Sequence, residues 1–332
     1  MNTSKIAAFD KVDNELKFVI KDAKMPEAGE GEVLFKVSAF ALNQADLLLT
    51  QGRHYVKSEL PIRLGYEGCG VIEAVGPSVT GYFPGDRISV IPNVDGPFWT
   101  AGEYAVAHSK HIMAWPEEWS AVRATSFVMQ YMTPYYPLVE RFPVKKGDWV
   151  MITAASGGTG LGTVALAKHL GARVIATSRS PEKKDILISH GAEVVLSTDD
   201  DDFIEQVMNV TQKDGVKLII DGLGGPYVGT LAKTLAIEGI LCIHGGLSGE
   251  NDFELDVLEL VYRQAGIHGY SLINELRMPG ALERGRDYIV AAIAQGYLPP
   301  PTIDSVFKFS DFSDAYDRMK SGKQAGKIVV EL

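Results

Sequence analysis

Apolar and polar residues alternate in short runs through the first 125 residues, and the rhythm then changes. Glu32–Phe40 (EVLFKVSAF) has strand composition with partial alternation. Ile6–Phe9, Leu16–Ile20, Cys69–Val75, Asp86–Ile91, Glu103–Ala107 and His111–Trp115 are further short strands, with turn signals at Gly76-Pro77 and Pro84-Gly85-Asp86. One helix is expected over Gln44–Gln51, with Asn43 as N-cap and Gly52 as its stop. Many short strands punctuated by Gly and Pro predict a partly closed barrel.

From about Ser126 the pattern alternates between short apolar strands and helices. The strands are Trp149–Thr153, Arg173–Ser178, Val194–Leu196, Val216–Asp221, Gly239–His244 and Ile267–Ser271. The helices are Gly158–Leu170, Glu182–His190, Phe203–Gln212, Tyr227–Ala236 and Leu255–Arg263. Six strands, largely apolar on both faces and alternating with helices, predict an α/β doubly wound parallel sheet. The tail reads as one long helix (Asn274–Gln295), a strand at Val306–Phe309, a helix at Phe312–Ser321 and a last strand at Lys327–Leu332. It is expected to return to the first domain.

Composition narrows the class. The chain has 332 residues, enough for two domains, and 46% hydrophobic and 22% charged residues, as in globular proteins. Its net charge of −10 argues against nucleic acid as a partner. No apolar run reaches the ~20 residues of a membrane span, and Met1–Lys5 leads directly into strand-like segments, not a signal peptide. A cytoplasmic location is expected. The two cysteines, Cys69 and Cys242, read as small buried apolar residues.

Chemistry enters at Thr153-Ala154-Ala155-Ser156-Gly157-Gly158-Thr159-Gly160, between a predicted strand and a predicted helix. Read as A-x-x-G-x-x-G, it uses Ala154, Gly157 and Gly160. Small residues let the backbone approach a pyrophosphate, and the helix start offers free N–H groups and partial positive charge. An NAD site places an acid about 20 residues further on. Here the second strand ends Ala176-Thr177-Ser178-Arg179-Ser180 with no acid, while Arg179 and Lys183 are cations suited to a 2′-phosphate. NADPH is therefore expected over NADH. Gly222, in Asp221-Gly222-Leu223-Gly224-Gly225, and His244-Gly245-Gly246 lie at later strand ends, where a dinucleotide crosses the sheet. Tyr316 and Lys320 match the Y-x-x-x-K pair of short-chain dehydrogenases, but only 12 residues follow Lys320, so both are read as positions on a structural helix. The Asp199–Asp202 run is read as a solvated helix start.

The order of motifs resembles the medium-chain dehydrogenase/reductase superfamily across essentially the whole chain. It runs Asn43-x-x-Asp46, Gly65-Tyr66-Glu67-Gly68-x-Gly70, Gly85-Asp86-Arg87, the Ala154/Gly157/Gly160 turn, and Gly326-Lys327-Ile328-Val329. Within the superfamily it is similar to the zinc-independent quinone oxidoreductase branch, which includes zeta-crystallin-like enzymes. Asn43–Gly52 is the most specific local match. The resemblance implies a GroES-like barrel as catalytic domain (residues 1–125 and 272–332) and a Rossmann nucleotide-binding domain (residues 126–271). It places a cleft between the two, lined by Asn43, His54, Tyr55, Tyr66, Gln130 and Thr133. Asn43, Tyr55, Tyr66 and Gln130 are the catalytic candidates. Thr133 matches a position close to the nicotinamide, and Lys327 is expected to reach the cofactor from the tail. Zinc-dependent members use a Cys, the His of a G-H-E segment and another Cys. Here Tyr66 replaces that His and Asn43 stands in the segment of the first Cys, so no metal is expected. The chain departs from the branch at Leu48, where an aromatic residue is common, and in the bulky segment Phe127–Met132.

Without a Lewis acid, the chemistry left is hydride delivery to an electrophile that needs little activation. The expected activity is NADPH-dependent reduction of a small-molecule quinone or activated enone. The alternatives are an enoyl-thioester reductase, which wants a Tyr proton donor, and a catalytically idle NADPH-binding structural or sensor protein. A homodimer through the sheet edge at Ile267–Ser271 is implied by the resemblance.

Overall fold

The computed structural model describes residues 3–332 apart from residues 55, 57, 94, 97 and 98. In chain order the strands are β1 (Thr3–Val12), β2 (Glu15–Lys24), β3 (Glu32–Ala41), β4 (Ile62–Arg63), β5 (Glu67–Val75), β6 (Arg87–Val90), β7 (Tyr104–His108) and β8 (Ile112–Ala114). β9 (Trp149–Ile152), β10 (Arg173–Thr177), β11 (Val194–Leu196), β12 (Val216–Asp221), β13 (Leu235–Ile243) and β14 (Gly266–Gly269) follow, then β15 (Ile303–Lys308) and β16 (Lys327–Glu331). The chain divides into two compact units, Met1–Met129 with Pro300–Leu332, and Gln130–Pro299.

The first unit carries a three-stranded sheet, β2-β1-β4, and a seven-stranded sheet in the order β15-β16-β3-β5-β6-β8, with β7 on β3. The β1–β2 hairpin is longer than its two apolar runs suggested. It closes through Asp13 and Asn14, both with positive φ, the two-residue turn whose twist matches paired strands. The core gathers Phe35, Phe40, Leu64, Tyr66 and Ile72 with Phe312 and Tyr316 of the tail helix Phe312–Lys320. Tyr316 stacks on Phe18 at 4.3 Å and Lys320 lies over the same ring, as a structural helix requires.

The second unit has six strands in the order β11-β10-β9-β12-β13-β14, all parallel. This is the doubly wound order, with β9 and β10 on one side of the crossover point and β12 on the other. Met151, Ile175, Ile219 and Leu241 are fully buried, because helices cover both faces.

Two expectations need correction. The tail returns to the first unit at residue 300, not 272. Residues 272–299 pack on the second unit: Tyr136 donates to the Ala281 carbonyl (2.9 Å), Arg141 pairs with Glu275, and His169 stacks on Tyr297. The single long helix is also two, Leu272–Leu276 and Ala281–Ala294, because Pro279 and the left-handed Gly280 (φ +71°) break it. A helix at Phe127–Tyr135 and a π-helical turn at Tyr136–Arg141 carry no strong helix signal in the sequence, since Pro134 and Pro137 interrupt them.

Candidate active site

In the first unit, Asn43 caps the helix Gln44–Thr50 as expected. The Asp46 carboxylate accepts from the Asn43 N–H (2.9 Å) and from the Gly65 N–H (2.9 Å), so it ties the helix start to the segment Gly65–Glu67. Gly65 has φ +92°, and a Cβ there would lie 2.5 Å from the Ala101 nitrogen, so only glycine fits. Burial pushes the Asp46 carboxyl up to about 6, against its two backbone hydrogen bonds.

Glu67 is the hub. One carboxylate oxygen meets the Lys327 ammonium and accepts from the Asn43 amide (3.0 Å), and the other accepts from the Met129 N–H (3.1 Å). Lys327 also donates to the Asn43 amide oxygen (3.0 Å). The Asn43 amide further donates to the Ala41 carbonyl (3.3 Å). Glu67 and Asp46 are 0% exposed and Lys327 is 4% exposed.

Asn43 has both amide donors and its acceptor engaged inside the protein, so it organises the segment. Lys327 directs its ammonium to Glu67 and Asn43.

Tyr66 sits between the two anchored residues. Thr100 adds a hydroxyl shared between the carbonyls of Gly65 (3.2 Å) and Glu67 (2.9 Å). The Tyr66 ring is buried, edge-on to Trp99 at 5.4 Å and tilted against His54 at 5.7 Å. Burial lowers the pKa of His54, favouring its neutral form. Tyr55 lies outside the described residues.

In the second unit, the turn after β9 is built as the glycine pattern demands. Ala154 adopts a left-handed φ of +48°, uncommon for a residue with a Cβ. The Ala155 N–H reaches the Thr177 carbonyl (3.3 Å), and Gly157 caps the helix Gly158–His169 with no side chain at its start. The glycines differ in purpose. A Cβ on Gly160 would lie 2.5 Å from the Ala155 carbonyl, so that glycine serves packing. A Cβ on Gly157 would meet only the Ala154 carbonyl, at 3.7 Å, and one on Gly246 nothing within 4 Å, so the fold itself leaves space there. Ser156 and Thr159 are half-buried in the same turn.

The later strand ends are tied together. Asp221, unmarked in the sequence reading, accepts from the Thr153 hydroxyl (2.5 Å) and from the N–H groups of Leu223 (3.0 Å) and Gly224 (2.9 Å). The His244 N–H donates to the Asp221 carbonyl, and a Cβ on Gly245 would collide with the Gly222 carbonyl at 2.7 Å. Burial lowers the His244 pKa, so its imidazole is a neutral group beside Gly222.

Gln130 and Thr133 lie on the helix Phe127–Tyr135 and are buried, and neither the Gln130 Oε1 nor the Thr133 Oγ1 has a hydrogen-bond partner among the described residues. Pro134 and Pro137 bring no N–H to the carbonyls of these two residues four positions back. Gly162 accommodates Gln130, whose Cγ would lie 2.4 Å from a Cβ there. Beyond β10, Arg179 is exposed and makes no ion pair among the described residues, and the Ser178 hydroxyl and Ser180 hold the local turn. Lys183 is buried in the short turn Pro181–Lys183. Cys69 and Cys242 are free and buried, with burial pushing both thiols up, Cys242 to about 12. Among the described residues no three His, Cys, Asp or Glu side chains converge as metal ligands, and no helix is long and apolar enough to cross a membrane.

Known proteins agree with this architecture. Residues 29–127 match the alcohol dehydrogenase GroES-like domain and residues 158–286 the zinc-binding dehydrogenase domain. The chain is 27% identical to an acryloyl-coenzyme A reductase of Metallosphaera sedula, over 94% of this chain and 96% of that protein. It is 26% identical to the quinone oxidoreductase of Homo sapiens, over 94% of this chain and 92% of that one. A mycobacterial protein solved in complex with NADPH superposes with a TM-score of 0.87 at 26% identity, covering 99% of this chain and 100% of that chain. The chain belongs to the medium-chain dehydrogenase/reductase superfamily, among the quinone oxidoreductase-like oxidoreductases whose motif order it follows.

Proposed function

We propose that the protein reduces a quinone or activated enone with NADPH and without zinc. The carrying observation is the pairing of a glycine cradle that the fold leaves open, at Gly157 and Gly246, with buried polar atoms that have no partner, on Thr133 and Gln130. Both features fit a bound dinucleotide: backbone room for a pyrophosphate and unsatisfied groups for a carboxamide. Ala154, Ser156, Gly157, Gly158, Thr159 and Gly160 would hold the pyrophosphate, with Gly222, His244 and Gly245 along the adjoining strand ends. Thr133 and Gln130 would hold the nicotinamide end. Ser178 and Arg179 would hold the 2′-phosphate, Arg179 by a charge-assisted contact. When bound, NADPH supplies the hydride.

The chain's own residues orient the electrophile and keep water away. Reducing a quinone adds one hydride and one proton, and its phenolate-like oxygen takes that proton from solvent. Tyr66 is the hydroxyl proposed to face this oxygen, with Tyr55 as the other candidate donor. Zinc independence rests on Tyr66 standing where a His ligand is needed. A cytoplasmic homodimer is part of the proposal: β14 ends the sheet with an open edge, beside a helix whose Val257, Leu258, Val261 and Tyr262 face solvent.

A second reading is favoured by the acryloyl-coenzyme A reductase similarity, namely reduction of an enoyl thioester. Oxidation of NADPH against 1,4-benzoquinone, 1,4-naphthoquinone, a short enone and crotonyl-coenzyme A separates the two. Quinone turnover that survives chelation is expected. Turnover of crotonyl-coenzyme A alone, with loss on the order of 10²-fold in Tyr66→Phe, would establish the thioester reading and a Tyr proton donor. No turnover with any of them would leave an idle nucleotide-binding protein.

A further inference from the structure

Arg63 stands at the end of β4, opposite Ala8 of β1, and three residues before Tyr66. Along extended backbone that is at most about 10 Å. Its side chain is half-buried, and its Nε is shielded from solvent with no hydrogen-bond partner. Three other half-buried arginines, Arg263, Arg286 and Arg318, each pair with a carboxylate. Among the described residues Arg63 makes no ion pair, and burial disfavours its charged form. A desolvated guanidinium without a counter-charge is costly, and an unsatisfied buried group of this kind calls for a ligand. The backbone that carries it is fixed by Asp46 on the Gly65 N–H and by the Ala101 N–H on the Leu64 carbonyl (3.2 Å), so the charge is held on a rigid mount.

We propose that Arg63 recognises a compact oxyanion, a carboxylate, sulfonate or phosphate, carried by the electrophile that the enzyme reduces. The planar fork of the guanidinium matches such a group through two parallel hydrogen bonds, one from the Nε that now lacks a partner. The inference deepens the proposed reductase function and rests on it: among electrophiles of equal reactivity, the anionic ones are preferred.

The test compares 1,4-naphthoquinone with its 2-sulfonate as substrates, in wild type, Arg63→Gln and Arg63→Lys, with NADPH as reductant. Arg63→Gln is expected to lose roughly 10–100-fold in kcat/KM for the sulfonate and less than about twofold for the neutral quinone, with Arg63→Lys recovering part of the loss. Inorganic sulfate is expected to compete with the sulfonated substrate only. Equal losses for both quinones, or none, would overturn the proposal. So would sulfate inhibition of both substrates alike, which would mark a site for free anions. If the wild type reduces neither quinone, the reductase reading fails on its own. Arg63 is then judged by the rise in wild-type Tm with the naphthoquinone sulfonate over the neutral quinone: a rise lost in Arg63→Lys or Arg63→Gln supports the anion site, and no rise overturns it.

Discussion

Around Glu67 the buried charges are matched inside the protein, with Lys327, Asn43 and the Met129 N–H closing on one carboxylate. On the helix Phe127–Tyr135, Thr133 Oγ1 and Gln130 Oε1 are left without partners among the described residues, and at the turn after β9 a Cβ on Gly157 would meet only the Ala154 carbonyl, at 3.7 Å. Both regions contain motif residues that the sequence nominated for function. The difference separates two jobs. Where polar groups satisfy one another, they fix backbone. Where they are left over, they keep hydrogen-bonding capacity that a ligand could use. Arg63 falls on the second side although it sits in the first unit, three residues from Tyr66.

The largest test of this contrast is to break the matched region. Glu67→Ala leaves the Lys327 ammonium buried without its carboxylate partner and should cost about 3–5 kcal/mol in chemical denaturation. Replacing both partners, as Glu67→Gln with Lys327→Met, should recover most of that loss, because no uncompensated charge is left. A double variant as unstable as the single one would show that the ion pair is not the reason for the loss.

Next comes pH. The folded Asp46 carboxyl, held up at about 6, binds its proton more tightly than in the unfolded chain, near 3.8. Below about pH 4 both states are protonated and there is no penalty; above pH 6 both are ionised and the penalty is complete, about 3 kcal/mol. Stability should therefore fall as pH rises from 4 to 6, and Asp46→Asn should lose that dependence. Urea midpoints across this window, compared between wild type and variant, check the sign. Parallel curves would place the titration elsewhere.

The smallest effect is expected in the open region. Arg179→Ala should weaken NADPH binding by roughly tenfold and leave NADH nearly unchanged, since the side chain is exposed and makes no ion pair among the described residues. Equal weakening of both cofactors would make Arg179 structural.

Much of this was legible in the sequence for physical reasons. The alternation of apolar strands with helices, and a glycine turn at the right place, pointed to the doubly wound parallel sheet, because both features are local. The Asn43 cap was legible for the same reason. The meeting of the Asn43 and Lys327 side chains was not legible, because sequence cannot show that residues 284 positions apart close on one another. Asp221 passed unnoticed because its partners are mostly backbone N–H groups. The helix Phe127–Tyr135 was hidden by Pro134, whose cost is met by burial of Phe127, Val128, Tyr131 and Met132. Tail residues 272–299 were assigned to the first unit because their packing partners, Tyr136, Arg141 and His169, are remote in sequence.

The most direct test is NADPH oxidation with 1,4-benzoquinone after exhaustive chelation, in wild type and in Gly157→Val. A folded Gly157→Val, confirmed by circular dichroism and an unchanged Tm, should lose at least about tenfold in kcat/KM for NADPH, because the new branches fill the space the fold leaves beside the turn. The wild type should turn over without metal. A Gly157→Val protein that oxidises NADPH as fast as the wild type would contradict the placement of the cofactor, and with it the reading of the open region.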